Sequence, residues 1–179
     1  GIAAPEFIIM RKRQYSGWKV YHKSVGIQKT TELDTRSAAS TNANIFPSAP
    51  TSSIFSPGTS YNVSSQNAIA YCFAPVEGYS KFDSYIGNGQ ADGPFVYLGF
   101  KPAFVLIRNF SFTDTNTAAN WIILDSTRND SFDNPLNEPL YPNLTAAEVG
   151  NSTDVKVDFL SNGFKIRTNT GQTYHKTNE

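Results

Sequence analysis

The sequence predicts an all-β fold: an antiparallel β-sandwich with an internal pseudo-repeat. Three observations carry that reading. The 179 residues include 13 Phe and 9 Tyr but one Met, beside abundant Thr, Ser and Asn, a composition that favours sheet over helix. No segment keeps a 3.6-residue apolar period over three turns. Short apolar or alternating runs recur instead between clusters of Gly, Pro, Asn and Ser, which gives about ten strands.

In chain order, "EFIIMRKR" (6–13) is a short apolar run with a basic exit. "GWKVYHKSV" (17–25) alternates, with Trp18, Val20 and His22 on one face, and Tyr-Ser-Gly at 15–17 joins the two runs as a hairpin. Residues 37–68 hold no charged residue and read as a long ordered loop or a series of short edge strands. Its pairs "IF" at 45–46 and at 54–55 are expected to pin into a core. "AIAYCFAPV" (68–76) is nearly continuous in apolar residues and reads as a central strand buried on both faces. Cys72 is then a buried small hydrophobe, and Pro75 ends the regular pairing.

Beyond it, "YSKFDSYIG" (79–87) alternates and "NGQADG" (88–93) is turn chemistry. "PFVYLGF" (94–100), "AFVLIRNF" (103–110) and "NWIILDS" (120–126) read as strands. Residues 127–153 are irregular, since Pro135, Pro139 and Pro142 deny them a long helix; "LTAAEV" (144–149) has room for one helical turn. "VKVDFL" (155–160), "SNG" and "FKIRT" (164–168) form a tight hairpin.

The chain repeats itself. "PEFIIMRKR" (5–13) returns as "PAFVLIRNF" (102–110), and the two tryptophans, Trp18 and Trp121, each open the next strand. "ELDTRSAAS" (32–40) is mirrored loosely by "EPLYPNLTAAE" (138–148), and "SIFSPG" (53–58) by "DFLSNG" (158–163). The offset grows from 97 residues at the Pro to 103 at the Trp and 108 at the Ala pair, which longer loops in the second copy explain. The expected organisation is one β-sandwich domain over 1–179, with repeat units of about 1–78 and 79–179. Two strands precede the second copy and only "GIAA" the first; "AIAYCFAPV" comes after the first copy and "GQTYHKTNE" after the second. The expectation is a segment of a longer protein, or a chain whose missing strands come from neighbours.

Charge and composition exclude several classes. Formal net charge is zero and 17% of residues are charged, so no general electrostatic pull on nucleic acid or anionic membrane is expected. One Cys excludes an internal disulfide framework, and no apolar run is long enough to span a membrane. His22 and His175 have no second ligand at metal-binding spacing, and "GNGQADG" (87–93) lacks the Lys-Ser/Thr of a phosphate loop. No catalytic residue, cofactor or metal is expected. The candidate ligand or interface surface is drawn from two regions. Tyr79, Tyr85 and Tyr97 belong to an aromatic-dense span whose members divide between core and surface. Asp125, Asp130 and Asp133 lie in an Asp/Asn-rich loop whose oxygens suit a glycan or calcium ion but lack calcium-loop spacing.

"APEFIIMRKR…GWKVYHKSVG", "IAYCFAPVEGYSKFDSYIGNGQADGPFVYLGFKPAFVLIRNF", "WIILDSTRN" and "VDFLSNGFKIRT" together resemble an uncharacterised domain family of tailed-bacteriophage virion proteins. That family is common in marine and cyanobacterial phages, in proteins of tail or fibre type, and it is similar in pattern to concanavalin-like lectin sandwiches, so the resemblance implies an antiparallel β-sandwich of jelly-roll or concanavalin-like form. The resemblance implies a viral structural protein located in the virion: a non-enzymatic module of a tail fibre or capsid-decorating protein. Its expected partners are other virion proteins and copies of itself, and its roles are assembly and host attachment. Two alternatives stand beside it, a carbohydrate-binding module for host surface glycans and a polysaccharide-degrading hydrolase domain. The family brings no catalytic residues to carry over.

Overall fold

Pro5 leads into β1 (Phe7–Lys12), the strand around which the first half of the chain is laid down. A computed structural model describes residues 3–14, 17–111, 120–129 and 133–169. The described residues contain ten strands and no helix, every strand pairing is antiparallel, and the chain divides into two units, Gly1–Ser84 and Tyr85–Glu179. The fold is all-β.

In the first unit, β2 (Lys19–His22), β3 (Lys29–Glu32), β4 (Ser40–Thr41) and β5 (Ala68–Phe73) join β1 in one sheet of order β4-β3-β2-β1-β5. Strand side chains alternate between faces, so Ile8 and Met10 share one face with Tyr21. There they meet Ile45, Phe46 and Tyr61, delivered by the uncharged loop, and all six are buried. The loop is thus the second layer of this unit. Gly58 permits the close approach: a Cβ there would lie 2.3 Å from the Asn44 carbonyl. The opposite sheet face carries Phe7, Ile9 and Arg11 of β1 with Ile69, Tyr71 and Phe73 of β5.

The second unit is a small sandwich. β6 (Phe95–Tyr97), β10 (Gly163–Ile166) and β9 (Val157–Leu160) form one sheet, and β7 (Phe104–Ile107) with β8 (Ile122–Asp125) another. Val105, Ile107, Ile122 and Leu124 from one sheet and Val157, Phe159, Phe164 and Ile166 from the other share a buried core. Residues 136–140 tie the sheets together by bridges Leu136↔Val157 and Ile123↔Leu140.

The repeat holds at the level of single hydrogen bonds. β1 pairs β2 with Phe7 opposite His22; β7 pairs β8 with Phe104 opposite Asp125, the same register at the sequence offsets of the two strands. Lys23 N–H donates to Glu6 O at 2.9 Å, and the equivalent Ser126 to Ala103 O at 3.0 Å. Trp18 N–H donates to Asp34 Oδ1 at 3.2 Å, and Trp121 to Asn143 Oδ1 at 3.0 Å. Arg11 lies 5.2 Å over the Trp18 ring and Arg108 5.1 Å over that of Trp121. Asn42 and Ser152 N–H donate to the Gln28 and Asn137 carbonyls, and their side-chain oxygens accept from Asn44 and Asp154. The buried Ile45 and Val155 come directly after.

Beyond that point the copies part. "SIFSPG" and "DFLSNG" do not match: the first lies in a loop, whereas the second runs through the turn of the β9–β10 hairpin. Pro47, Pro50 and Pro57 explain the difference, because each removes a donor that a hairpin ladder needs.

Several expectations are corrected. "AIAYCF" is not a central strand buried on both faces but an edge strand, paired only with β1 among the described residues and exposed at five of its six positions. Cys72 is exposed with it. Its large residues, Ile69, Tyr71 and Phe73, all point one way, and the small Ala68, Ala70 and Cys72 the other. Residues 79–87 form no strand, only isolated bridge positions at Ser80, paired with Val76, and at Gly87. "LTAAEV" makes no helical turn, being too short to nucleate one behind Pro142. Of the loop's two apolar pairs, Ile45–Phe46 is buried as expected; in the other, Phe55 packs partly buried against the same core while Ile54 is exposed. The connection at 15–16 lies outside the described residues.

The close backbone approaches give a stability test. A Cβ at Gly163 would lie 2.1 Å from Val96 O and 2.9 Å from Phe95 Cζ, whereas one at Gly150 meets nothing within 4 Å. Gly163→Ala is expected to lower the unfolding free energy by about 1–3 kcal/mol in a urea titration, with Gly150→Ala within ~0.5 kcal/mol of the parent. Equal effects would contradict the β10–β6 packing.

Candidate functional site

The exposed face of the first unit's sheet concentrates aromatic surface. Antiparallel register places Tyr71 opposite Ile9 and Phe73 opposite Phe7. Trp18 lies just before β2 and packs on Tyr71, ring centroids 6.3 Å apart at 31°, with the Arg11 guanidinium over the indole. Phe7 stacks on Phe82 (5.8 Å, 9°), and Phe73 tilts against both. Ile69, Tyr71 and Phe73 are 49%, 47% and 43% exposed. Residues 37–76 hold no charge, so this edge lacks the Lys or inward charge with which sheet edges are usually blunted. Partial desolvation pushes the Cys72 thiol above its ordinary value, the opposite of an activated nucleophile.

The candidate residues do not form one site. Tyr79, 80% exposed, belongs to the first unit, in the turn after β5, where its N–H donates to Val76 O at 3.0 Å. Tyr85 and Tyr97 belong to the second. Tyr85 meets Phe164 edge to face and is half-buried against the core; Tyr97 is exposed on β6 opposite Gly163. Asp125 is held in a turn, its carboxylate accepting from Thr127 and Arg128 N–H and from the Arg128 side chain. Burial would raise its pKa, but those bonds outweigh it and hold the carboxyl below the ordinary range. Arg128 also meets Glu148 and donates to Glu138 O at 3.3 Å. Asp130 and His175 lie outside the described residues.

Asp133 lines a cleft of about 130 Å³ with Lys101, Ser126, Asn134, Leu136 and Phe159. The Asn134 side chain fixes this loop by exchanging two bonds with the Phe159 backbone, at 2.8 and 3.0 Å. The cleft has room for a few waters. Among the described residues no three His, Cys, Asp or Glu side chains gather as metal ligands.

Total hydrophobicity hides the Trp18–Tyr71–Phe73 surface in the sequence, because it makes "AIAYCF" resemble a core strand. The strict large–small alternation of that run is the readable signal of one populated face.

The sequence model of one family, described as a domain of unknown function (DUF7483), matches residues 2–178. No curated protein and no solved structure matches the chain.

His22, on the same sheet face, offers a pH test. Burial, then Lys23, holds its imidazolium below the ordinary range against the smaller pull of Asp83 and Glu6. Ser24 N–H donates to Nδ1 at 3.2 Å, a bond only the neutral ring accepts. Below a pH of about 6.5 the unfolded chain binds a proton that the folded ring resists, so this group's stability contribution is present above that value and lost as pH falls. Urea unfolding above and below it is expected to show a smaller acid loss for His22→Gln than for the parent. Identical losses would contradict the assignment.

Proposed function

We propose that this chain, which belongs to the DUF7483 family, is a non-enzymatic structural module of a phage virion, in a tail fibre or capsid-decorating protein. Its work is assembly with other virion proteins and copies of itself, and attachment to a host surface. One observation carries the assembly part: β5 presents an uncharged, six-residue edge with three large apolar side chains in solvent. Such an edge offers both unpaired backbone groups and apolar surface to a partner. The resemblance to tailed-phage tail and fibre domains supports the virion setting, and the twice-used strand scaffold suits a structural role.

A carbohydrate-binding reading is favoured by a different observation. Half-buried Trp18 and exposed Tyr71 form an aromatic patch, with the Arg11 guanidinium over the indole. Aromatic faces of this kind stack on sugar rings, and an arginine supplies directional donors.

Sedimentation velocity over a concentration series separates the two. The assembly reading expects reversible association that Tyr71→Lys abolishes while the circular dichroism spectrum and unfolding midpoint stay near those of the parent. A chain that stays monomeric at its highest soluble concentration, and binds a surface glycan lost on Trp18→Ala, would overturn it in favour of the second reading.

A further inference from the structure

The β5 edge specifies its own partner, an inference that rests on the assembly reading. β1, with a strand on each side, leaves only Arg11 exposed, whereas β5, at the end of the sheet, is exposed on both faces: Ala68 and Cys72 on one, Ile69, Tyr71 and Phe73 on the other. Arg13 N–H donates to Asn67 O at 2.8 Å and Glu6 N–H to Phe73 O at 2.9 Å. Alternation therefore gives the main-chain groups of Ile69, Tyr71 and Phe73 to β1 and turns those of Ala68, Ala70 and Cys72 to the outer edge. The edge is also polarised along its length. Lys12 stands opposite Ala68 with Arg13 just beyond, so the start of β5 lies beside the basic exit of β1. Past its other end, Glu77 is exposed in the turn closed by Val76 and Ser80, while Glu6 and Asp83 are paired with Lys23 and Lys81. Two such edges meeting antiparallel bring the basic end of each toward Glu77 of the other; a parallel meeting sets like ends together.

We propose that the partner is a second molecule of this chain, its β5 paired antiparallel with the first about a two-fold axis at Tyr71, so that one sheet runs through both. Registers centred on Ala70, Tyr71 or Cys72 all keep the outward main-chain groups face to face. Centring on Ala70 sets Phe73 opposite Asn67. Centring on Cys72 sets Ile69 opposite Pro75 and Ala68 opposite Val76, whose N–H is already given to Ser80 O at 3.1 Å. Centring on Tyr71 wastes neither side chains nor main chain. Ala70 and Cys72 of each molecule exchange bonds with Cys72 and Ala70 of the other, and the large residues meet on one face as Ile69 with Phe73 and Tyr71 with Tyr71. A lysine at position 71 would set two like charges directly opposite each other at the axis.

Disulfide trapping of the full chain in a glutathione redox buffer reads the register, because directly opposite residues lie about 4.5–5.5 Å apart at Cα, within disulfide reach. In a Cys72→Ser background, Tyr71→Cys is expected to form a linked dimer by itself. Ile69→Cys and Phe73→Cys are expected to link when mixed and not singly. The parent, whose Cys72 faces Ala70 across the axis, is expected to stay unlinked. Linking of Ala70→Cys in the Cys72→Ser background in preference to Tyr71→Cys, or of the parent through Cys72, would place the axis elsewhere and overturn the proposal. So would association in sedimentation velocity with none of the expected links. Each of those results leaves the assembly reading standing, whereas a chain that stays monomeric overturns both.

Discussion

The fold rests on one locked hairpin register, used twice. A slip of one residue between β1 and β2 would turn Ile8 and Met10 out of the core and Phe7 and Ile9 into it. Three contacts close that register at the far end from the Pro: Trp opening the second strand, Arg from the first strand over its ring, and an Asp or Asn side chain receiving the Trp N–H. The same contacts stand in different surroundings. Arg11 is exposed over a half-buried Trp18, whereas Trp121 is buried and burial pushes the Arg108 guanidinium down to about 10. A cation over an aromatic face contributes ~0.5–1 kcal/mol when exposed and ~2 when desolvated, so the second copy gains more from the same geometry. It also carries the cost of desolvating that charge.

The segment after the hairpin decides how each copy finishes its core. The first sends a proline-punctuated, uncharged loop across the sheet and relies on Ile45, Phe46 and Tyr61 as anchors. The second builds the β9–β10 hairpin, with Gly163 letting β6 close on it, and obtains a second sheet. The consequence reaches the surface. The first copy returns with β5 to cover one edge of β1 and in doing so creates a new apolar edge. In the second copy no described strand takes the β5 position.

The all-β class, the strand runs and the duplication were legible because alternation, turn residues and the Pro–Phe–Arg and Trp landmarks are local signals. The buried Ile45–Phe46 pair was legible for the same reason: large apolar residues in an otherwise polar stretch need a core. The status of "AIAYCF" was not, since whether a strand is central or at an edge depends on pairing with residues far away in sequence. The aromatic density of residues 79–100 misled in the same way. None of its Phe or Tyr is fully buried, because the short β6 and the strandless 79–87 stretch present little face to the core. The candidate aspartates were legible as turn formers, and Asp125 does that job; the role of Arg128 in holding it was not, because its second carboxylate, Glu148, lies twenty residues on.

Amide hydrogen exchange, resolved by residue, tests the central claim most directly. If β7 with β8 repeats β1 with β2, the amides of Val105 and Ile107, which bond across to β8, exchange as slowly as those of their equivalents Ile8 and Met10, which bond across to β2. Fast exchange of Val105 and Ile107 beside slow exchange of Ile8 and Met10 would contradict it.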